Sequence, residues 1–286
     1  MRYLFFLFFI LTLTVIGCGE NNYRQRVFDV HLHGSPAPGK QLADLFGSGV
    51  RTVAVSTSWR ELQTYQSSSQ LKVLHGLMVP CPNGKVPYSG QNCFEDGKEW
   101  PEPGWVEEQV KEGKIDFIGE VLTQYQGISL SDTLMYPYYA IAEKYSLPVG
   151  VHTGSAGPDH GCPGFKEEMG NPVLLVKVLQ RFPKLHVWLM HGGGPFVAEC
   201  INMMKAYPRL YADISVLNNP DITPATDFGN IMKSFIAAGL EDRLLFGSDN
   251  AAIPTVIASV HKLAFLSENQ KRKIFFENAS VLFRNK

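Results

Sequence analysis

Eight apolar runs of strand length recur along the chain, separated by segments long enough for a helix and its turns. They are Val27 to Leu32, Val50 to Ser56, Lys72 to Val79, Ile115 to Val121, Pro148 to His152, Leu185 to Met190, Leu210 to Ile214 and Arg243 to Gly247. Within each run Val, Ile and Leu follow one another with little polar alternation, which is what a strand covered on both faces requires. Strands that alternate with helical segments argue for parallel βα units rather than a sandwich or a bundle. Eight such units fill residues 27–286, close to the ~250 residues of a closed eight-stranded barrel. The expected fold is a single (β/α)8 TIM barrel, with no room for a second domain.

The first residues depart from this pattern. Met1 and Arg2 precede an apolar run from Leu4 to Ile16, interrupted only by Thr12 and Thr14 and closed by Gly17 and Cys18. The run is short for a membrane span and has the charged start and small-residue end of a secretory signal. Small residues before a cysteine resemble the bacterial lipoprotein box. Residues 1–18 therefore read as a lipoprotein signal peptide with Cys18 as the lipidated residue, and 19–26 as a tether; a plain signal peptide and an uncleaved anchor are the alternatives. The expected location is the periplasmic face of a membrane in a bacterial envelope, reached by the lipid anchor only.

Secretion would put the other cysteines in an oxidising compartment. Cys81 and Cys93 share one Pro/Gly-rich stretch, Cys81 to Gly104, and are the natural pair to close a short ring. Cys162 with Cys200 is a leftover pairing. No Cys-x-x-Cys occurs, so a zinc knuckle is excluded.

Lys and Arg total 26 against 27 Asp and Glu, a net charge of −1. So even a balance offers neither a nucleic-acid groove nor a polybasic membrane patch. A small-molecule substrate is the better expectation. Oligomeric state leaves no signal.

The chemistry gathers at strand ends. His31 and His33 close strand one, Glu120 strand four, His152 strand five, His191 strand six and Asp249 strand eight. Residues i and i+2 of a strand share a face, so both imidazoles of the His-x-His pair can point into one barrel mouth, where strand ends converge. Each residue alone has an ordinary explanation: a lone histidine is more often a hydrogen-bonded core residue, and Asp249 could merely cap the helix that follows it. Four histidines and two acids at the C-terminal ends of five strands have no such explanation together. Imidazole and carboxylate suit zinc, manganese or iron, and zinc leads on ligand type, with one or two ions.

Other positions carry weaker signals. Asp29 shares the parity of His31 and His33 and is expected to face inward one layer down, in a hydrogen-bonding role. Arg60 could clamp a substrate carboxylate or phosphate, although a solvated helix face suits it as well. His160 could touch substrate from the loop Gly154 to Gly170, and Cys81 to Gly104 is long enough to form a lid. Tyr88, Tyr125 and Phe165 sit where loops would line a pocket, although aromatics at such positions often just pack, and Trp59 stands beside Arg60 after strand two. His75 reads as a satisfied core residue, His186 and His261 as surface groups.

Several stretches together resemble the amidohydrolase superfamily: Phe-Asp-Val-His-Leu-His-Gly from Phe28, Ile-Gly-Glu-Val around Glu120, Val-Gly-Val-His-Thr-Gly around His152, Leu-Met-His-Gly-Gly-Gly-Pro around His191, Leu-Phe-Gly-Ser-Asp ending at Asp249, and Ile-Phe-Phe-Glu-Asn-Ala-Ser-Val-Leu-Phe near the C-terminus. Within it the chain is similar to the amidohydrolase-related branch that includes aminocarboxymuconate semialdehyde and resorcylate decarboxylases. The resemblance implies that His31, His33 and Asp249 hold one ion and that His152 and His191 hold a second where two are present. Many binuclear relatives bridge their ions with a carboxylated lysine on strand four, where this chain has Glu120. The implied chemistry has Asp249 as general base, with His191 free for proton transfer if a single ion is bound. Hydrolysis of an amide, lactone or ester is the leading expectation. Non-oxidative decarboxylation or hydration at the same metal is the rival, phosphoester hydrolysis a third if Arg60 lines the pocket, and a non-catalytic binding lipoprotein the rival of another class.

Overall fold

The computed structural model describes residues 26–57, 59–79, 100–155 and 164–284. The expectations attached to Cys18, Cys81, Tyr88, Cys93, His160 and Cys162 lie outside them.

Eight parallel strands form one sheet in sequence order: β1 (Val27–His33), β2 (Val50–Thr57), β3 (Lys72–Val79), β4 (Phe117–Val121), β5 (Val149–Val151), β6 (Val187–Leu189), β7 (Leu210–Asp213) and β8 (Leu244–Leu245). Main-chain bonds from Val30 N–H to the Phe246 carbonyl (3.0 Å) and from Asp249 N–H to the His31 carbonyl (2.8 Å) join the last strand to the first. The sheet is thus a barrel. Between and after the strands run α1 (Pro38–Gly47), α2 (Trp59–Leu62), α3 (Pro103–Lys111), α4 (Tyr136–Tyr145), α5 (Val176–Arg181), α6 (Val197–Ala206), α7 (Ala225–Ala237), α8 (Ile253–His261), α9 (Glu268–Arg272) and α10 (Asn278–Leu282). Proline stands in the first turn of α1, α3, α4 and α8, where its missing N–H has no intrahelical acceptor to lose.

Two buried layers divide along the strands. Val53, Val55, Ile118, Val149, Val151, Val187 and Leu189 face the helices, whereas Phe28, Val30, Ala54, Leu74, Phe117, Trp188, Met190 and Leu245 fill the barrel interior. Ala279, Leu282 and Phe283 join the interior group. The last helix therefore plugs the floor, with Phe283 packed on Phe28, Phe117 and Trp188 at centroid distances of 5.3–5.8 Å. Gly76 makes room for this filling, since a Cβ there would lie 2.1 Å from the Phe117 ring.

Interior parity does not run unbroken to the mouth. Phe28 and Val30 hold interior positions on β1, and the ladder to β2 is irregular between Asp29 and Leu32. That irregularity resets the phase, so that His31 and His33, rather than the continuation of 28 and 30, turn into the mouth. Asp29 is fully buried and hydrogen-bonded as expected, but the parity that suggested it belongs to the mouth and not to its own level. The same device recurs on β4, where the ladder to β5 is irregular between Ile118 and Val121 and Glu120 turns inward.

Strand lengths differ from the sequence expectation at several ends. β4 begins at Phe117 and β8 is only Leu244–Leu245, because the Phe246 N–H bonds to the Ile274 carbonyl and its carbonyl to β1. His191 lies in a 3-10 turn, Met190–Gly193, directly after β6. Cys200 is a buried thiol beside Met204 Sδ, and its leftover pairing with Cys162 involves a residue outside the described ones.

Candidate metal centre

Each of the six strand-end candidates reaches the same point at the barrel mouth, and Glu120 is its middle. Its Oε2 lies 3.1 Å from His33 Nε2 and 3.5 Å from His31 Nε2, and its Oε1 lies 2.5 Å from His152 Nδ1 and 3.7 Å from His191 Nε2. Asp249 Oδ1 completes the first side, 3.2 Å from His33 Nε2 and 3.8 Å from His31 Nε2. On the second side, His191 Nε2 and His152 Nδ1 are 3.3 Å apart. Local backbone makes these approaches possible: His191 and Asp249 take left-handed conformations, at φ 62° and 48°, which non-glycine residues adopt rarely and mostly where surrounding structure enforces it. Gly247 leaves the space beside His31, since a Cβ there would stand 2.8 Å from the His31 Cβ.

The donor set fits a divalent cation. His31 Nε2 is buried and has no hydrogen-bond partner among the described residues, although it faces two carboxylates. His152 Nδ1 lies 2.5 Å from Glu120 Oε1, a hydrogen bond in which the carboxylate accepts from the ring, and its Nε2 lies 3.3 Å from the Ser155 carbonyl. Bonds of ~2.0–2.2 Å in a tetrahedral zinc site put neighbouring donors about 3.3 Å apart, and the contacts among His31, His33, Asp249 and Glu120 run from 3.1 to 3.8 Å.

Electrostatics follow from burial and mutual proximity. Burial alone would raise the Glu120 carboxyl, yet the imidazoles of His152 and His31 hold it well below its usual range. Burial would likewise raise Asp249, and His31 and His33 hold it below the carboxylate range. Burial opposes a charged His33, but Asp249 and Glu120 push it up to about 9. Asp29 is different: burial dominates and lifts its carboxyl to about 6, against bonds from Ser248 and the His31 N–H.

A layer of polar groups that the sequence reading missed supports these rings. Asp213 ends β7, with Oδ2 3.1 Å from His31 Nδ1. Ser215 Oγ lies 3.0 Å from Nδ1 of both His31 and His191. The signal was present: Tyr211, Asp213 and Ser215 alternate at period two off the end of an apolar run, as His31 and His33 do. Asn250 Oδ1 accepts the His33 N–H at 3.0 Å, and Gln41 Nε2 donates to the His33 carbonyl at 3.0 Å.

The remaining candidates disperse. Tyr125 packs edge-on against the His152 ring, with Phe165 behind it. Arg60 is exposed on α2, and Trp59 packs against Trp105. His75 Nε2 bonds to the Tyr65 carbonyl at 2.8 Å. His186 lies beside the Arg209 guanidinium and His261 against the Phe275 ring.

Residues 103–284 match the family model described as Amidohydrolase. No curated protein matches the chain. Among solved structures, an uncharacterised TIM-barrel protein from Bordetella bronchiseptica shares 19% identity over 91% of this chain and 98% of its own, with a TM-score of 0.63. An amidohydrolase from Burkholderia multivorans with bound zinc shares 13% over 90% and 99%, with a TM-score of 0.62. The 5-carboxyvanillate decarboxylase of Sphingomonas paucimobilis shares 11% over 91% and 99%, with a TM-score of 0.59. At these identities the likeness is one of fold.

Proposed function

This chain belongs to the amidohydrolase family, and from that premise we propose that it hydrolyses a carbonyl-centred bond, an amide, lactone or ester, in a small molecule. The observation that carries the reading is the convergence of His31, His33, Glu120, His152, His191 and Asp249, with His31 Nε2 buried and unbonded among them. His31, His33 and Asp249 would hold one divalent cation. Glu120 would share its second oxygen with His152 and His191, where a second ion could be held. Imidazole and carboxylate donors favour zinc, and a zinc-containing relative has the same fold.

When bound, the cation supplies polarisation of the carbonyl oxygen and a water whose pKa is brought toward ~7. Asp249 does the proton work. Its side chain is 25% exposed while those of His31 and Glu120 are 0% and 2% exposed, so it is the acid that meets an incoming substrate. Held below the carboxylate range, it is ionised at neutral pH and takes a proton from the attacking water as the oxygen adds to the carbonyl carbon. It returns that proton to the leaving nitrogen or oxygen as the C–N or C–O bond breaks, so one water is consumed and no other reactant is needed. Where a single ion is bound, His191 Nε2 is a second proton-handling group at the same mouth.

Non-oxidative decarboxylation by the same residues is the competing chemistry, and the decarboxylase of the same fold motivates testing it. Metal per chain, a panel of amides, lactones and esters, and carbon dioxide release from aromatic acids together decide between them. Full activity after complete chelation would sink the metal reading, and carbon dioxide release without hydrolysis would replace it with the rival. The N-terminal sequence further supports an envelope lipoprotein anchored through Cys18, which the mass of the mature N-terminal peptide tests.

A further inference from the structure

Asp213 and Ser215 stand at the end of β7 between two imidazoles that belong to different sides of Glu120. Ser215 Oγ donates its single proton to Asp213 Oδ1 at 2.6 Å. Its oxygen is then left with lone pairs only, and it lies 3.0 Å from His31 Nδ1 and 3.0 Å from His191 Nδ1. A hydroxyl whose proton is already engaged can only accept, so a ring nitrogen bonded to it has to carry hydrogen. Asp213 is committed in the same sense: Oδ1 also accepts the main-chain N–H of His191 and of Ser215, each at 3.0 Å, and Oδ2 faces His31 Nδ1 at 3.1 Å. The Ser215 hydroxyl and the two main-chain N–H groups all point toward Asp213, and nothing in the cluster can donate back to either ring.

We propose that Asp213 and Ser215 are a shared positioning pair that fixes both His31 and His191 with hydrogen on Nδ1, so that both rings present a bare Nε2 to the barrel mouth. One carboxylate thereby sets the donor atom of two histidines carried by different strands. His33 keeps hydrogen on Nδ1 separately, through the Ser56 carbonyl 3.3 Å away, and its Nε2 is bare once a cation displaces the second proton. The dependence is unequal: His31 has both Asp213 and Ser215, whereas the His191 ring has Ser215 alone. Ser215 is accordingly the position at which His191 can be released while His31 is retained.

The inference rests on the metal reading for its purpose but not for its test. Long-range 1H–15N correlation spectra of the imidazoles, recorded on chelated and on zinc-loaded full-length protein, report which ring nitrogen carries hydrogen. The expected result is the Nδ1–H pattern for His191 in both samples and for His31 in the zinc-loaded one, because in chelated protein Asp213, Asp249 and Glu120, acting against burial, keep a second proton on the His31 ring. Ser215→Ala should retain that pattern for His31, give mixed tautomers for His191 and weaken a second zinc equivalent ~10–100-fold while leaving the first unchanged; Ser215→Thr, which keeps the hydroxyl, should restore the His191 pattern. An Nε2–H pattern for His191 in the unaltered protein, or a Ser215→Ala variant with unchanged spectra and zinc affinity, overturns the inference. Protein that binds no zinc yet shows the expected tautomers would contradict the metal reading and leave this one standing.

Discussion

Oε1 of Glu120 lies 2.5 Å from His152 Nδ1, while Oε2 of the same carboxylate lies 3.1 Å from His33 Nε2. One acid on β4 thus joins imidazoles from β1 with those that follow β5 and β6. Removing its charge should disturb both sides at once. We expect Glu120→Gln to lower metal bound per chain and to cut kcat/KM by at least ~10²-fold, since a buried donor that contacts both sides is lost. Elemental analysis paired with steady-state kinetics measures this, and near-normal metal content would show that Glu120 is a bystander.

Without a competing cation, His33 carries a proton at neutral pH: burial opposes it, but Asp249 and Glu120 lift it to about 9. Metal binding near pH 7 must therefore release protons. Calorimetric titration with zinc in two buffers of different ionisation enthalpy should give different apparent heats, and equal heats would contradict the protonation state.

The same shift fixes the pH dependence of stability in chelated protein. A histidine raised above its ordinary 6.5 contributes stability that is complete below that value and is lost as pH rises through about 9. The unfolding midpoint of chelated protein should fall between pH 7 and pH 10 and should fall less when zinc is bound. A midpoint that rises over that interval would reverse the sign.

Phe283 tests the fold apart from the site. It is 4% exposed and packed on three interior rings at the floor of the barrel. Phe283→Ala should cost about 3–5 kcal/mol in denaturant unfolding and leave zinc affinity within about twofold. Loss of zinc binding in a folded variant would mean that floor and mouth are coupled.

Gly247→Ala should do the reverse. Its Cβ would stand 2.8 Å from the Cβ of His31, so overpacking should cost about 1–3 kcal/mol and displace a donor, reducing zinc affinity more than tenfold. Unchanged affinity would show that the mouth has slack there.

The strands were legible in the sequence because a barrel buried on both faces demands uninterrupted Val, Ile and Leu, and all eight lie where those runs are. The six converging residues were legible because strand ends on one rim must meet. What escaped was phase. A period-two pattern does not announce the ladder irregularities at Asp29–Leu32 and Ile118–Val121, and these decide which side chains turn inward. Asp213 and Ser215 escaped for another reason: their period-two spacing off a strand end is also that of any polar turn, and contact with His31 and His191 is what gives it a role. The extent of β8 was overestimated because Phe246, as apolar as any strand residue, bonds to β1 and to Ile274 instead of extending the ladder from β7.

The most direct measurement is anomalous scattering at the zinc absorption edge from crystals grown with zinc. It should place a peak within about 2.0–2.3 Å of His31 Nε2, His33 Nε2 and an Asp249 oxygen, with Glu120 beside it. A mouth without anomalous signal, in protein that turns over its substrate, would contradict the account.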